Sequence, residues 1–258
     1  MRILLTNDDG IHAPGLFALY QALQADYKLD VVAPLTEMSA ISHAISLNSP
    51  LRVTKINKKG AFFGNAITGT PADCVKIAVQ ELLKDPPDMI LSGINLGANV
   101  GINVLYSGTV AAATEGAFSG IPSAAISLNT LNDPDFLFAA QFSKKVVQFI
   151  TEKGITNGTT LNVNIPAVPP KEITGVRFTR QGTIRMNDHF EQHQDPRRNL
   201  YYWLSSKMFI EDSDTNTDYM ALRENKISIT PIHYDRTCNS ELARLQENSC
   251  KNRIFFKD

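Results

Sequence analysis

Two adjacent carboxylates follow the first apolar segment of the chain, in the stretch LLTNDDG at residues 4–10. Asp8 and Asp9 repel each other unless a positive charge lies between them, and a divalent cation would supply that charge. Carboxylate, amide and hydroxyl oxygens suit Mg²⁺ or Mn²⁺ better than zinc or copper. The same pair at a strand end is also typical of a turn followed by a helix N-cap, so the two acids alone leave both interpretations open.

A second chemical motif is Ser107-Gly108-Thr109, which directly precedes a small-residue segment of helical character, TVAAATEGAFSG at 109–120. The backbone N–H groups at a helix N-terminus and the positive end of the helix dipole bind anions. We therefore expect an anion site here, and the simpler alternative is an ordinary Ser or Thr N-cap. A cation site beside an anion site is suited to a phosphate group.

The elements that must position these groups alternate between strands and helices. Short apolar runs predict buried strands, and amphipathic stretches between them predict helices. The predicted strands are 2–7, 29–34, 89–93, 123–128, 161–166 and 226–232, and the predicted helices begin at 15 or cover 71–83, 109–120, 136–150 and 240–246. This order predicts an α/β fold with a Rossmann-like, doubly wound and mostly parallel sheet.

Polar loops follow three of the predicted strands. Ligands of an open parallel sheet lie beyond the carboxyl ends of its strands, so these loops should meet at one edge. The loop after the second strand, PLTEMSAISHAISL at 34–47, contains Ser39, Ser42 and His43, and the loop INLGANVG at 94–101 follows the strand that ends in Ser92-Gly93. His43 is a candidate substrate contact, although a lone histidine is more often a structural hydrogen-bonding residue.

Beyond residue 170 the sequence no longer shows the alternation of predicted strands and helices, and residues 180–218 are polar and aromatic. We treat 1–258 as a single domain, with a Rossmann-like core at 1–170 and a C-terminal extension at 171–258. The extension should contain hairpins within 180–218, a returning strand and a terminal helix. Its aromatic group, Tyr201, Tyr202 and Trp203, fits either a base-stacking pocket or a subunit contact, and the enrichment of aromatic residues at interfaces favours the contact.

The bulk composition narrows the class of partner. The net charge is −1, with 25 Lys and Arg against 26 Asp and Glu, so neither duplex nucleic acid nor an anionic membrane is an expected partner. The three cysteines, Cys74, Cys238 and Cys250, are far apart and form no Cys-x-x-Cys motif, which favours a reducing compartment. Cys74 falls on an apolar helix face and should be a core residue. The first residues do not resemble a signal peptide, and we expect a cytoplasmic protein.

Beyond these patterns, the chain resembles the SurE family, the survival-protein nucleotidases, through an ordered series of motifs. The matching stretches are TNDDG at 6–10, SAISHAI at 39–45, GTPADCV at 69–75, SGINLGANVG at 92–101, YSGTVAAATEGAFSGIP at 106–122, VNIP at 163–166, TRQG at 179–182, TD at 217–218 and SITP at 228–231. They extend over nearly the whole chain, and the series is far more specific than a lone pair of acids.

The resemblance implies a divalent-metal-dependent phosphatase that converts nucleoside 5′-monophosphates, and also 3′-monophosphates, to nucleoside and inorganic phosphate. Short polyphosphate is a further substrate of some family members. It implies one Mg²⁺ or Mn²⁺ ion per subunit, and a homodimer or homotetramer that exchanges C-terminal elements. The family's site residues correspond here to Asp8, Asp9, Ser39 and Asn95 as metal ligands, and to Asn99, Ser107, Gly108 and Thr109 as phosphate contacts.

The expected mechanism is in-line attack of water on phosphorus, with Asp8 as the favoured base and Asp9 as the firmer ligand, a division that the sequence does not decide. A covalent aspartyl-phosphate is the alternative, although the Asp-x-Asp pattern of the best-known phosphatases of that kind is absent. The chain departs from the family pattern at three places. Many members have an acid at the position of Asn103 and an arginine-containing loop at the position of Leu35-Thr36-Glu37, and a glycine that commonly precedes SITP is absent here. A nucleotide-binding regulator without turnover and a sugar-nucleotide transferase are the two alternatives from other functional classes.

Overall fold

The computed structural model describes residues 1–209 and 214–249. Its strands are β1 Arg2–Thr6, β2 Lys28–Pro34, β3 Val53–Lys58, β4 Ala61–Ile67, β5 Met89–Leu96, β6 Ser123–Asn129, β7 Thr159–Pro166, β8 Gly175–Phe178, β9 Arg185–Gln194, β10 Leu200–Phe209 and β11 Lys226–His233. The helices are α1 Pro14–Leu23, α2 Pro71–Ile77, α3 Gly108–Phe118, α4 Leu137–Lys153, α5 Asp218–Arg223 and α6 Asn239–Ser249. A π-helical turn, Ala78–Leu82, and two 3₁₀ turns, Gly101–Leu105 and Pro170–Glu172, complete the helical elements of this part of the chain.

Nine of these strands form one sheet in the order β3-β4-β2-β1-β5-β6-β7-β11-β8. The run from β4 to β7 is parallel throughout, and β11 returns antiparallel to β7. Strands β9 and β10 form a separate antiparallel hairpin. The predicted α/β, doubly wound and mostly parallel fold is therefore confirmed.

The core lies on both faces of the sheet because successive residues of each central strand point to opposite sides. Ile3 and Leu5 of β1 pack with α1 and α4, whereas Leu4 packs with α2 and α3. Cys74 is completely buried in this second layer, as expected for a core residue. The helices thus hold β1 and β5 rigidly in the centre of the sheet, where the polar loops begin.

A glycine allows the first helix to approach this centre closely. A β-carbon at Gly15 would lie only 2.0 Å from the Ile94 carbonyl oxygen of β5. Such a distance is shorter than any real contact, so only glycine fits at the start of α1. This close contact joins the chain that follows the two acids to the strand that carries Asn95.

The structure corrects several of the predicted boundaries. The predicted helix at 71–83 is a regular α-helix only to Ile77 and continues as the π-helical turn, while β5 runs three residues past the predicted end at Gly93. Sequence patterns missed β3, β4, β8 and α5. Strand β3 is largely exposed at the sheet edge and α5 has 6 residues, so neither carries a clear hydrophobic period. The predicted hairpin region contains β9 and β10, and α6 extends the predicted terminal helix at both ends.

No helix in the described part of the chain is long and apolar enough to cross a membrane.

Candidate active site

The candidate site lies where the direction of strand order changes. From β1 the chain builds outward through β2 and β4 on one side, and β5 then pairs with the other side of β1. Loops diverge at such a point and leave a crevice at the carboxyl ends of the two strands. Asp8 and Asp9 follow β1 at this crevice, and Asn95 is the second-last residue of β5.

Asp8 is buried and held by α3. The Thr109 hydroxyl donates to Asp8 Oδ1 at 2.5 Å, and the Thr109 backbone N–H also donates to this carboxylate. Burial raises the pKa of Asp8, and the hydrogen bonds from Thr109 oppose that rise. The other oxygen, Oδ2, faces the start of α3, since a β-carbon at Gly108 would lie 3.0 Å from it.

Asp9 is half-buried next to Asp8. Its carboxylate accepts a hydrogen bond from the backbone N–H of Leu96 in β5, the residue next to Asn95. Burial, and then the charge of Asp8, raise the pKa of Asp9 to about 7, with a smaller contribution from Glu37. The charged groups that act on the two acids are thus themselves carboxylates.

Ser39 and Asn95 approach the same crevice from two other loops. The backbone N–H of Met38 donates to the Asp8 carbonyl at 2.8 Å, which places the Ser39 loop against the acids. Ser39 is exposed, and its hydroxyl donates to Glu37 Oε1 at 2.5 Å. The Asn95 amide nitrogen donates to the Gly97 carbonyl, so its Oδ1 is the acceptor that remains for a ligand.

This set of groups fits a hard divalent cation. The two neighbouring carboxylates supply negative charge, and Ser39 and Asn95 add two neutral oxygen groups, so the set has oxygen donors without thiolate or imidazole. Within residues 1–209 and 214–249, no three His, Cys, Asp or Glu side chains are grouped as a metal site. That finding is compatible with the oxygen set, because only two of its four residues are acids and a serine and an asparagine complete it.

The turn Ser107-Gly108-Thr109, where the sequence predicts an anion site, directs only some of its hydrogen-bonding groups outward. Ser107 is the N-cap of α3, and its hydroxyl accepts from the Val110 backbone N–H. Both donors of Thr109 are directed to Asp8. Among the hydrogen bonds between described residues, none uses the Gly108 N–H, which is therefore the donor of this turn best suited to a phosphate oxygen.

Asn99 is directed toward the core. Its side-chain amide donates to Ser127 Oγ at 2.9 Å, and its backbone N–H donates to Asn164 Oδ1 at 2.7 Å. The Asn99 carbonyl accepts from the side chains of Asn162 and Asn164. In this structure Asn99 therefore anchors the loop between Asn95 and the 3₁₀ turn, and its amide nitrogen is occupied by Ser127 of β6.

His43 lies against α3, in a cavity that Ser107 also lines. Its Nε2 is 2.8 Å from Glu115 Oε2, and its ring stacks on Phe118 at a centroid distance of 5.0 Å. Lys76 of α2 donates to the other oxygen of Glu115 at 2.7 Å. Burial favours a higher pKa for Glu115, but the hydrogen bonds from His43 and Lys76 outweigh it and the pKa is lowered.

Sequence patterns missed Glu115 and Lys76. The one available signal was a carboxylate within the otherwise small-residue helix TVAAATEGAFSG, on a segment predicted to pack close to the sheet. His12, which the sequence left as a turn residue, is exposed. Cys238 is exposed and unbonded to another cysteine, and Cys250 lies outside the described residues.

Comparisons with known proteins agree with the motif series. The family model "Survival protein SurE" matches residues 3–188. The chain is 51% identical over 237 residues to "5'-nucleotidase SurE" of Syntrophobacter fumaroxidans, covering 92% of this chain and 95% of that protein. It is 52% identical over 238 residues to "5'-nucleotidase SurE" of Syntrophus aciditrophicus, covering 92% and 90% of the two chains.

A solved structure supports the same assignment. The crystal structure of SurE from Aquifex aeolicus superposes with a TM-score of 0.83 at 35% identity, covering 96% of this chain and 100% of that chain. Since the family match spans more than half of the chain and the relatives cover nearly all of it, this protein is a member of the SurE family.

Proposed function

We propose that this protein is a 5′-nucleotidase that hydrolyses nucleoside 5′-monophosphates to nucleoside and phosphate with the help of one Mg²⁺ or Mn²⁺ ion. The observation that carries the proposal is the contact of Asp8, the neighbour of Asp9, with the N-terminus of α3 at the centre of the sheet. The names of the relatives from Syntrophobacter fumaroxidans and Syntrophus aciditrophicus support the substrate class.

The cation would be held by Asp8, Asp9, Ser39 and Asn95. When bound, it would neutralise charge on the phosphate group and on the two acids. The Gly108 N–H would donate to another phosphate oxygen, with the positive end of the α3 dipole behind it. Positioning and charge neutralisation account for most of the catalysis of phosphoryl transfer.

Asp8 is our candidate for the general base. Thr109 holds its Oδ1, and its Oδ2 faces the turn where the phosphate would bind. A water in line with the ester bond would transfer a proton to Oδ2 as it attacks phosphorus. The P–O ester bond then breaks, and the departing nucleoside oxygen takes a proton from solvent.

A phosphate-release assay with AMP tests the proposal. We expect turnover with Mn²⁺ or Mg²⁺, its loss in EDTA, and a decrease of about a thousandfold or more in kcat for Asp9→Asn. Asp85→Asn, at an exposed position far from the crevice, is the matched control and should retain full activity. Normal turnover of Asp9→Asn at saturating Mn²⁺ would refute the site assignment, and absence of turnover in the wild type would refute the activity.

The proposal extends to 3′-monophosphates and short polyphosphate as secondary substrates, because the groups at the crevice would recognise a terminal phosphoryl group. A panel of 5′- and 3′-nucleotides and tripolyphosphate, measured with the same metal, tests this extension. Equal loss of all activities in Asp9→Asn would place them at one site, and an activity that survives the change would belong elsewhere.

We also propose that the protein is a homodimer or homotetramer that uses its C-terminal elements. Leu242 and Leu245 of α6 are 43% and 51% exposed, and Phe190 and Trp203 of the β9–β10 hairpin are 69% and 64% exposed. Large apolar side chains grouped on exposed elements are typical of surfaces that another chain covers. A second copy of this chain would supply that cover.

A further inference from the structure

The loop that carries Ser39 has no helix or strand of its own. Between β2 and β3 the chain depends on contacts with other elements to hold its shape, and Ala40 and Ser42 have positive φ values of 54° and 58°. The Ser42 backbone N–H donates to the Tyr106 carbonyl and its hydroxyl donates to the Leu105 carbonyl. These contacts attach the loop just before the start of α3.

A hydrogen bond to a buried carboxylate attaches the same loop one residue further on. His43 reaches the carboxylate of Glu115, which is 3% exposed and lies on α3 two turns beyond Ser107. The stacking of the His43 ring on Phe118 fixes the direction from which its Nε2 approaches Glu115. The Nε2 atom and one ring face of His43 therefore both contact α3.

We propose that Glu115 is a positioning residue that, through His43, fixes the Ser39 loop relative to the acids Asp8 and Asp9. Groups that orient a metal ligand through an intermediate residue commonly change metal affinity or activity by about 10- to 100-fold when they are removed. His43 would thus act by holding the loop and would not contact the substrate. The role of Glu115 rests on the proposed function for its Mn²⁺-affinity and activity measurements, whereas the amide exchange of the loop does not depend on it.

The two oxygens of Glu115 provide a matched pair of variants. His43 binds Oε2 and holds the loop, whereas Lys76 binds Oε1 and holds α2. His43→Ala removes the hydrogen bond to Glu115 together with the stacking on Phe118, and Lys76→Met removes the contact between the helices. His43→Gln is the conservative variant, because its side-chain amide can still donate a hydrogen bond to Glu115.

Three measurements on the full-length variants test the proposal: Mn²⁺ affinity by calorimetry, kcat and KM for AMP, and hydrogen exchange of the Met38 and Ser42 amides. We expect His43→Ala to weaken Mn²⁺ binding about tenfold, to lower kcat more than it raises KM, and to speed exchange of both amides. His43→Gln should restore most of the loss. Lys76→Met should change the melting temperature only.

Several results would overturn the proposal. They are wild-type Mn²⁺ affinity and amide exchange in His43→Ala, equal effects in His43→Ala and Lys76→Met, or no rescue by His43→Gln. A raised KM with unchanged Mn²⁺ affinity would instead make His43 a substrate contact. If the wild type neither binds Mn²⁺ nor hydrolyses AMP, the proposed function fails, and the amide exchange of His43→Ala against Lys76→Met still decides the role of Glu115.

Discussion

Asp9 makes the stability of the metal-free protein depend on pH. Its pKa is raised from 3.8 to about 7 in the folded chain, chiefly by burial and next by the charge of Asp8. The folded state therefore binds this proton more tightly than the unfolded state does, and stability decreases as pH rises from the unfolded toward the folded pKa. We expect the melting temperature in EDTA to fall between about pH 5 and about pH 7.

The variant Asp9→Asn isolates this effect. It cannot ionise, so its melting temperature should be flatter over the same pH range, and the difference between the two curves should grow with pH. Saturating Mn²⁺ should reverse the slope of the wild type, because a bound cation favours the ionised acid. Parallel curves for the two proteins in EDTA would contradict the assignment of the titration to Asp9.

The hydroxyl of Thr109 is a second single group whose effect on the site can be tested. It is completely buried and donates to Asp8 Oδ1 at 2.5 Å. Thr109→Val keeps the shape and removes the donor, and we expect kcat to fall about 10- to 100-fold at saturating metal. Thr109→Ser keeps the donor and should remain within a few-fold of the wild type. Similar kcat values for Val and Ser at this position would show that the hydroxyl does not orient Asp8.

At the scale of elements, α3 connects the crevice to the sheet through two glycines. A β-carbon at Gly108 would lie 2.8 Å from Asp8 Cβ, whereas one at Gly116 would lie 2.9 Å from Ile90 Cδ1. The first contact would displace Asp8, which we propose as a site residue, and the second meets the flexible end of the Ile90 side chain in the core. Gly108 is thus required by the position of Asp8, and Gly116 by the packing of α3 on the sheet.

Gly108→Ala and Gly116→Ala test this difference. We expect Gly108→Ala to lower kcat/KM by about a hundredfold with a small change in melting temperature, because it would displace Asp8, the proposed general base. Gly116→Ala should change the melting temperature with kcat/KM near the wild-type value. Full activity in Gly108→Ala would mean that the Asp8 carboxylate tolerates displacement at this turn.

At the scale of the whole molecule, α6 supplies a test of assembly. Leu242→Glu places a charge on its exposed apolar side, and Ser240→Glu adds the same charge on the opposite side of the helix. If a second copy covers α6, light scattering should show a smaller mass for Leu242→Glu and an unchanged mass for Ser240→Glu. Equal masses for the wild type and both variants would exclude this side of α6 from the contact.

The fold could be predicted from the sequence because the patterns that predict its strands and helices are local. The apolar runs of β1, β2 and β6 and the amphipathic stretches between them determine which segments bury both faces and which bury one. The motif series likewise identified the family and named Asp8 and Asp9 as the acids that follow β1. A local pattern fails where an edge strand such as β3 is exposed, since its formation depends on pairing with β4.

Only the tertiary structure decided how the side chains around the acids are used. The sequence predicted that Thr109, Asn99 and His43 lie in the loops and helix around the site. It did not predict which residues they hydrogen-bond to. Those partners are Asp8, Ser127 and Glu115, which lie 101, 28 and 72 residues away along the chain. Hydrogen bonds over such separations depend on the packing of α3 and the sheet, which no local period encodes. The residues that surround the chemistry could therefore be predicted, while their orientation could not.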